Sequence, residues 1–247
     1  MSSPKQRRRK GGEAVSADKF IRIIINDHET WLKTRQNFIQ ASDAPSVCNC
    51  SPWKDKTVLW DEKKGLVKAK DIGNKPHVLF GKKMEPLIRE QFLLDNPYFS
   101  CDYHEYDILV SKERKWQGCT LDGELTVTAE NPWNLPIGSK GPLEVKTGSF
   151  KSYDDYKEWR LFPMNYYVQI MHQLSVTGWD FVMTASRIKR DPFKESDFGF
   201  PEIHTLYHLF LRSDPQVQQD IEIVEEREME FKQSLDSNRR PALTLSL

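Results

Sequence analysis

Four charged side chains of this 247-residue chain have the types and spacing that act on a phosphodiester: Glu85, Asp122, Glu144 and Lys146. Glu144 and Lys146 lie two apart in PLEVKTG, and side chains alternate along a strand, so the two share one face. Charges in so apolar a strand need a partner or a use. Asp122 and Glu144, the backbone carbonyl of Val145, and Glu85 from a helix are hard oxygen donors, which select Mg²⁺ or Mn²⁺ over zinc. One bound ion would activate a water and a second would stabilise a leaving 3′ oxygen, while Lys146 orients the nucleophile or offsets transition-state charge. Each residue alone has a plainer use: Glu144 and Lys146 as an exposed strand pair, and Asp122-Gly123 as a turn. The weight lies in their conjunction and order.

Those residues must be positioned by elements the periodicity predicts. GKKMEPLIREQFLLDNP reads as a helix with Met84, Leu87, Ile88 and Phe92 as its apolar stripe and Asn96-Pro97 as its stop. Short strands follow at Tyr106 to Val110, Trp116 to Cys119, Glu124 to Ala129 and Leu143 to Thr147, read together as a meander. Met164 to Thr177 puts Tyr167, Ile170, Met171 and Leu174 on one helical face, with Gly178 as the stop. Tyr166, Gln169 and Gln173 flank that stripe. Phe181 to Ile188 and Ile203 to Leu211 read as strands, and Asp214 to Leu235 as a charged helix. Upstream, Ser16 to Thr34 suits either a helix or a strand, and Gln36 to Trp60 is irregular, with Ser42 or Asp43 able to cap a short helix. The result is an α/β class: one mixed central sheet flanked by helices, with a site at its strand ends. The expected organisation is a basic disordered tail over 1–15, a single domain over 16–237 with its core at about 81–188, and a C-terminal tail over 238–247.

With 36 Lys plus Arg against 36 Asp plus Glu, the chain has no formal net charge, so any nucleic-acid surface must be local. The basic cluster Lys5, Arg7, Arg8, Arg9 and Lys10 is equally well a solubilising end. Cys48, Cys50, Cys101 and Cys119 lack CxxC pairing and read as reduced thiols. The longest stretch without charge, Leu161 to Trp179, is too polar to span a bilayer, and no apolar segment follows the basic N-terminus, which points to the cytoplasm. His172 reads as structural, since nothing nearby in sequence orients it. Trp53, Trp60 and Trp133 could stack on unpaired bases or serve in packing.

The order helix Glu, turn Asp, strand ExK and Gln-bearing helix resembles the PD-(D/E)xK nuclease superfamily over about Gly81 to Ile188. GKKMEPLIRE, CTLDGEL, LEVKTG and YYVQIMHQLSVTG, with SDA and SPW upstream, are similar to the motifs of the lambda-exonuclease or YqaJ-type viral recombinases. The resemblance implies a restriction-endonuclease-like core in which Asp122, Glu144 and Lys146 are catalytic and Glu85 is auxiliary. It also implies that Arg35, Ser42, Thr120 and Gln169 form a 5′-phosphate pocket, a guanidinium with neutral donors being what a phosphate needs. Relatives commonly carry serine where this chain has Thr120. The 21 residues between Asp122 and Glu144 read as an extended hairpin with Trp133 near its tip, free to contact DNA or a neighbouring subunit.

The expected activity is that of a Mg²⁺-dependent deoxyribonuclease, with Mn²⁺ able to substitute: a 5′ to 3′ exonuclease on linear double-stranded DNA that leaves 3′ overhangs. The resemblance further implies a single-strand annealing protein as partner, a ring-shaped homotrimer, and a bacterial or phage-infected cytoplasm. The rivals are an endonuclease of the same fold, a non-catalytic DNA-end or protein-binding module, and an unrelated α/β interaction domain.

Overall fold

A computed structural model describes residues 18–70, 72–191 and 203–242. The expected basic tail over 1–15 lies outside the described residues, as does the last part of the expected C-terminal tail, 243–247. Nine strands and seven helices follow in the order β1 (Phe20–Ile23), α1 (His28–Arg35), β2 (Ile39–Gln40), α2 (Ala44–Val47), α3 (Lys56–Lys63) and α4 (Pro76–Asp95), among the described residues. Then come β3 (Phe99–Asp102), β4 (Ile108–Ser111), β5 (Gln117–Cys119), β6 (Gly123–Val127), β7 (Lys140–Phe150), α5 (Tyr153–Leu161), α6 (Met164–Thr177), β8 (Phe181–Arg190), β9 (Ile203–Leu211) and α7 (Pro215–Asp236).

The central sheet has the order β3-β6-β7-β8-β9, and it is mixed because β7 and β8 run parallel while its other pairs are antiparallel. Parallel neighbours need a crossover, and α5 with α6 supplies it. Along β7, Leu143 and Val145 enter one core layer with Ile88 and Phe92 of α4, Leu125, Phe181 and Met183. Alternation sends Glu144 and Lys146 to the opposite face, where Ile170, Met171 and Leu174 of α6 pack with Val182 and with Val217, Ile221 and Val224 of α7. The N-terminal six residues of β8 are all buried, as expected of a strand covered on both faces.

The expected single sheet is corrected by a second one, ordered β1-β4-β5-β2 and itself mixed. The first two strands of the expected meander, β4 and β5, belong to it, and β6 and β7 to the central sheet. The ambiguous segment before residue 35 is both things in turn, β1 then α1. In the stretch expected to be irregular, α3 forms where Asp55 caps it, its carboxylate accepting from Thr57 N (2.8 Å) and Val58 N (2.9 Å). Asp43 precedes α2 but does not cap it with its side chain. Its carboxylate turns instead to Gln40 N (3.1 Å) and Lys63 (2.7 Å). Leu87, expected in the α4 stripe, is 56% exposed, because the buried face of that helix runs through Ile88 and Phe92. α6 spans the predicted residues and ends at Gly178 in the left-handed region (φ 65°), where an added Cβ would meet Lys19 at 2.4 Å. No helix among the described residues is long and apolar enough to cross a membrane.

Candidate active site

The site forms where the central sheet opens. β6 begins at Gly123 opposite Leu143, so β7 continues past that point without a β6 partner. Asp122 stands at the opening, and its Oδ2 accepts the Val145 N–H at 2.8 Å, replacing the missing ladder bond. Backbone N–H and C=O of one strand residue share an edge, so the Val145 carbonyl belongs to the edge that Asp122 closes.

Glu144 lies on the α6 side and is 2% exposed. Its Oε1 accepts from Lys146 Nζ and from Gln169 Nε2 (2.6 Å), and its Oε2 accepts from Gln173 Nε2 (2.5 Å). Lys146 Nζ also donates to Gln169 Oε1 (3.1 Å) and sits 4.6 Å from the Tyr166 ring centre. Tyr166, Gln169 and Gln173, at helical spacings of three and four, thus present one polar row of α6 to the ExK pair. From the other side α4 brings Glu85, whose Oε1 accepts from the Arg89 guanidinium at 2.9 Å. Arg89 also donates Nε to the Asp122 carbonyl (2.7 Å) and stacks 3.6 Å above the Tyr103 ring.

The electrostatics are those of a crowded anionic site. Burial, then Glu144, then Glu85 hold the Asp122 carboxyl well above its ordinary range, against the pull of Lys146 and the Val145 N–H. Burial also raises Glu85, opposed by Arg89 and reinforced by Glu144. Burial alone would lower the Lys146 ammonium, but Glu144 and Asp122 outweigh it and the group stays charged. Among the described residues, no three His, Cys, Asp or Glu side chains are gathered as a ready metal-binding cluster. The fitting donor set is smaller, two carboxylates and one backbone carbonyl, and the surplus repulsion at Asp122 is what a divalent cation would relieve. Glu85, Asp122, Glu144, Val145, Lys146 and Gln169 line one cavity of about 760 Å³.

All four residues expected at a phosphate, Arg35, Ser42, Thr120 and Gln169, line an adjoining cavity of about 450 Å³ together with Glu85 and Asp122. Arg35 donates to Ser42 Oγ (2.9 Å) and lies 4.4 Å from the Trp31 ring, whose Nε1 donates to Thr120 Oγ1 (3.0 Å). Gln169 touches Glu144 and Lys146 and also borders the second cavity, so it joins the two.

Sequence reasoning missed several groups. Arg89 stands four residues after Glu85, a spacing that was there to be read, whereas its bond to the Asp122 carbonyl spans 33 residues. Gln173 was placed on the right helix face without a role. His172 is fully buried and outside both cavities, its Nδ1 2.6 Å from Glu228 Oε1 and its Nε2 2.9 Å from the Gly118 carbonyl oxygen. Its orienting carboxylate lies 56 residues away, beyond any local motif. Trp60 is buried, and Trp133, midway along the connection between the antiparallel β6 and β7, packs on Tyr98 and Phe99. The four cysteines are free thiols.

A family model described as the YqaJ-like viral recombinase domain matches residues 30–180, a window that holds Arg35, Ser42, Glu85, Thr120, Asp122, Glu144, Lys146 and Gln169. Among solved structures, the alkaline exonuclease LHK-Exo from Laribacter hongkongensis matches with a TM-score of 0.56 at 14% identity, over 86% of this chain and 97% of that one. The same exonuclease in complex with dAMP matches with a TM-score of 0.56 at 15% identity and the same coverage. Comparison with curated proteins finds no match.

Proposed function

The chain belongs to the YqaJ-like viral recombinase domain family and has the PD-(D/E)xK fold, and on that premise we propose that it is a metal-dependent 5′ to 3′ exonuclease on linear double-stranded DNA. The observation that carries this reading is the meeting of Asp122, Glu144 and Lys146 at the opening of the central sheet, with Gln169 linking them to the Arg35, Ser42 and Thr120 cavity. Asp122, Glu144 and the Val145 carbonyl would hold Mg²⁺ or Mn²⁺, with Glu85 directly or through water, and the ion when bound would polarise the phosphate and lower the pKa of a water. Lys146, kept cationic by Glu144 and Asp122, orients the attacking water and offsets charge on the pentavalent phosphorus. Glu144 accepts three hydrogen bonds, so it enters the reaction already aimed.

Arg35, with Ser42, Thr120 and Gln169, holds the terminal 5′ phosphate, a guanidinium fork beside neutral donors. The distance from that pocket to Lys146 then sets where the strand is cut. The dAMP complex of the Laribacter exonuclease supports release of single nucleotides. A 3′ overhang left in this way is substrate for a single-strand annealing protein, the partner we propose, in the cytoplasm of a bacterial or phage-infected cell.

The test is digestion, in Mg²⁺ and Mn²⁺, of matched linear and covalently closed duplexes, the linear one bearing 5′ phosphate or 5′ hydroxyl, with Lys146→Ala as control. The expected result is loss of the linear form alone, faster with 5′ phosphate and abolished in the variant. Cutting of the closed form would establish an endonuclease instead. No Lys146-dependent cleavage of either would leave a DNA-end or protein-binding module.

A further inference from the structure

Three tryptophans are candidates to touch nucleic acid, and the fold removes two. Trp60 is 4% exposed and Trp133 is engaged by Tyr98 and Phe99. Trp53 is 72% exposed, an indole left in water where burial would be worth about 2 kcal/mol or more.

Its turn is fixed. Ser51 Oγ accepts from Trp53 N and Lys54 N, each at 3.3 Å, Lys54 pairs with Glu62 at 2.5 Å, and Asp55 begins α3 immediately after. The Trp53 ring lies 6.1 Å from that of Tyr166, tilted by 37°. Tyr166 borders the catalytic cavity with its ring 4.6 Å from Lys146 Nζ. Behind Tyr166 stand Trp159 at 5.7 Å and Phe162 at 6.2 Å. Phe162 adopts φ 72°, a strained conformation for a bulky side chain, yet it is buried between α5 and α6. A continuous aromatic track therefore runs from the catalytic ammonium to solvent, and its outer face is the exposed indole.

Resting on the nuclease reading above, we propose that Trp53 is a stacking ledge that receives an unpaired base of the strand whose phosphodiester lies at Lys146. The nucleotide beside a reacting phosphate at a duplex end must leave its stack, and an aromatic face returns part of that cost. Every base has a π-face, so the ledge is indifferent to sequence, which suits an enzyme that degrades whatever follows. A rigid turn lowers the ordering cost of the contact. Trp53 acts on binding and on fraying of the end, and leaves the proton transfers to the groups around Lys146.

The test measures affinity of the full-length protein, without divalent metal so that nothing is cut, for a fluorescent 5′-phosphorylated duplex with unpaired terminal nucleotides. A second duplex carries abasic nucleotides at the same positions. Trp53→Ala is expected to weaken the base-bearing end at least about fivefold, and Trp53→Phe to retain most of the affinity. Wild-type protein should lose the same factor on the abasic end, where Trp53→Ala loses nothing more. That non-additivity is what a merely structural role for Trp53 does not produce. Equal affinity of wild type and Trp53→Ala for the base-bearing end, or losses that add, overturns the ledge while cleavage of linear DNA keeps the nuclease reading. Wild-type protein that neither binds these ends nor cleaves linear duplex in Mg²⁺ or Mn²⁺ overturns both.

Discussion

Asp122 is held where its anion is least stable, buried and facing Glu144 and Glu85. A carboxyl whose folded pKa is raised stabilises the fold while protonated. That contribution is complete below the unfolded value and is lost as pH rises through the folded one. At neutral pH, without metal, Asp122 therefore weakens the protein. Asp122→Asn keeps an acceptor for the Val145 N–H and removes the charge. It should abolish cleavage while raising the melting temperature in EDTA at pH 7.5, with the gain shrinking towards pH 4. Melts that show no gain at pH 7.5 would refute this strain. Arg89 makes a second prediction at the same scale, because one guanidinium fixes the Asp122 main chain and the Glu85 carboxylate while stacking on Tyr103. Arg89→Ala should cost about 10- to 100-fold in kcat and raise the Mg²⁺ concentration needed, and Arg89→Lys should not restore either, since an ammonium lacks the fork and the flat face. A Mg²⁺ titration of both variants decides it, an unchanged half-saturation refuting the positioning role. The ExK pair and Asp122 were legible in the sequence because strand alternation and chain order are local facts. Gln173 on Glu144 and Arg89 on the Asp122 carbonyl were not, since each bond depends on how a helix is rotated against a strand.

Between elements, α7 is pinned to α6 and β5 by one buried polar knot. Glu228 receives Gln117 Nε2 at 2.7 Å and pairs with His172, which also reaches Gly118 of β5. Nearby, Ser175 donates to Glu225, and Arg114 pairs with Glu225 at 2.6 Å. Burial would lower the pKa of His172, but Glu228 and the Gly118 carbonyl outweigh it and the net shift is upward from 6.5. The pair's stability is thus complete below 6.5 and is lost as pH rises through the raised value. Glu228→Gln should lower stability by about 3–5 kcal/mol at pH 6, the cost of breaking a buried pair, and by less at pH 9. Denaturant melts of both proteins at the two pH values check this, and a difference that grows with pH would be the wrong sign. The long elements around the knot were readable: α6 has an apolar stripe and a glycine stop, and β9 and α7 have clear periods. β1, β2, α2 and β3 have two to four residues each, too few to show a period, and their pairing partners lie up to 91 positions away. The division into two sheets was hidden for the same reason, since strands separated by three residues, β5 and β6, part company in space.

For the whole molecule the governing fact is the balance of 36 cationic and 36 anionic side chains, which gives a polyanion no net attraction to one chain. Binding to duplex DNA must therefore come from cations collected on one surface, and a ring of copies enclosing the duplex would collect them from every subunit at once. That argument supports the homotrimer proposed from the family resemblance, and sedimentation at micromolar concentration should give three times the mass of one chain. It also fixes the salt response. Each phosphate neutralised releases condensed counterion, so log affinity falls against log salt with a slope of about −0.9 per contact. A ring touching DNA from several subunits should show at least about six contacts, and hence a loss of about 10³-fold or more between 50 and 200 mM salt, measured on linear duplex without divalent metal. A monomer that binds only through Arg35, Lys146 and their neighbours would engage two or three phosphates and lose about 10- to 40-fold over the same range. The shallow slope with a monomeric mass would refute the encircling ring while leaving the proposed chemistry at Lys146 untouched, because Asp122, Glu144 and Lys146 meet within a single chain.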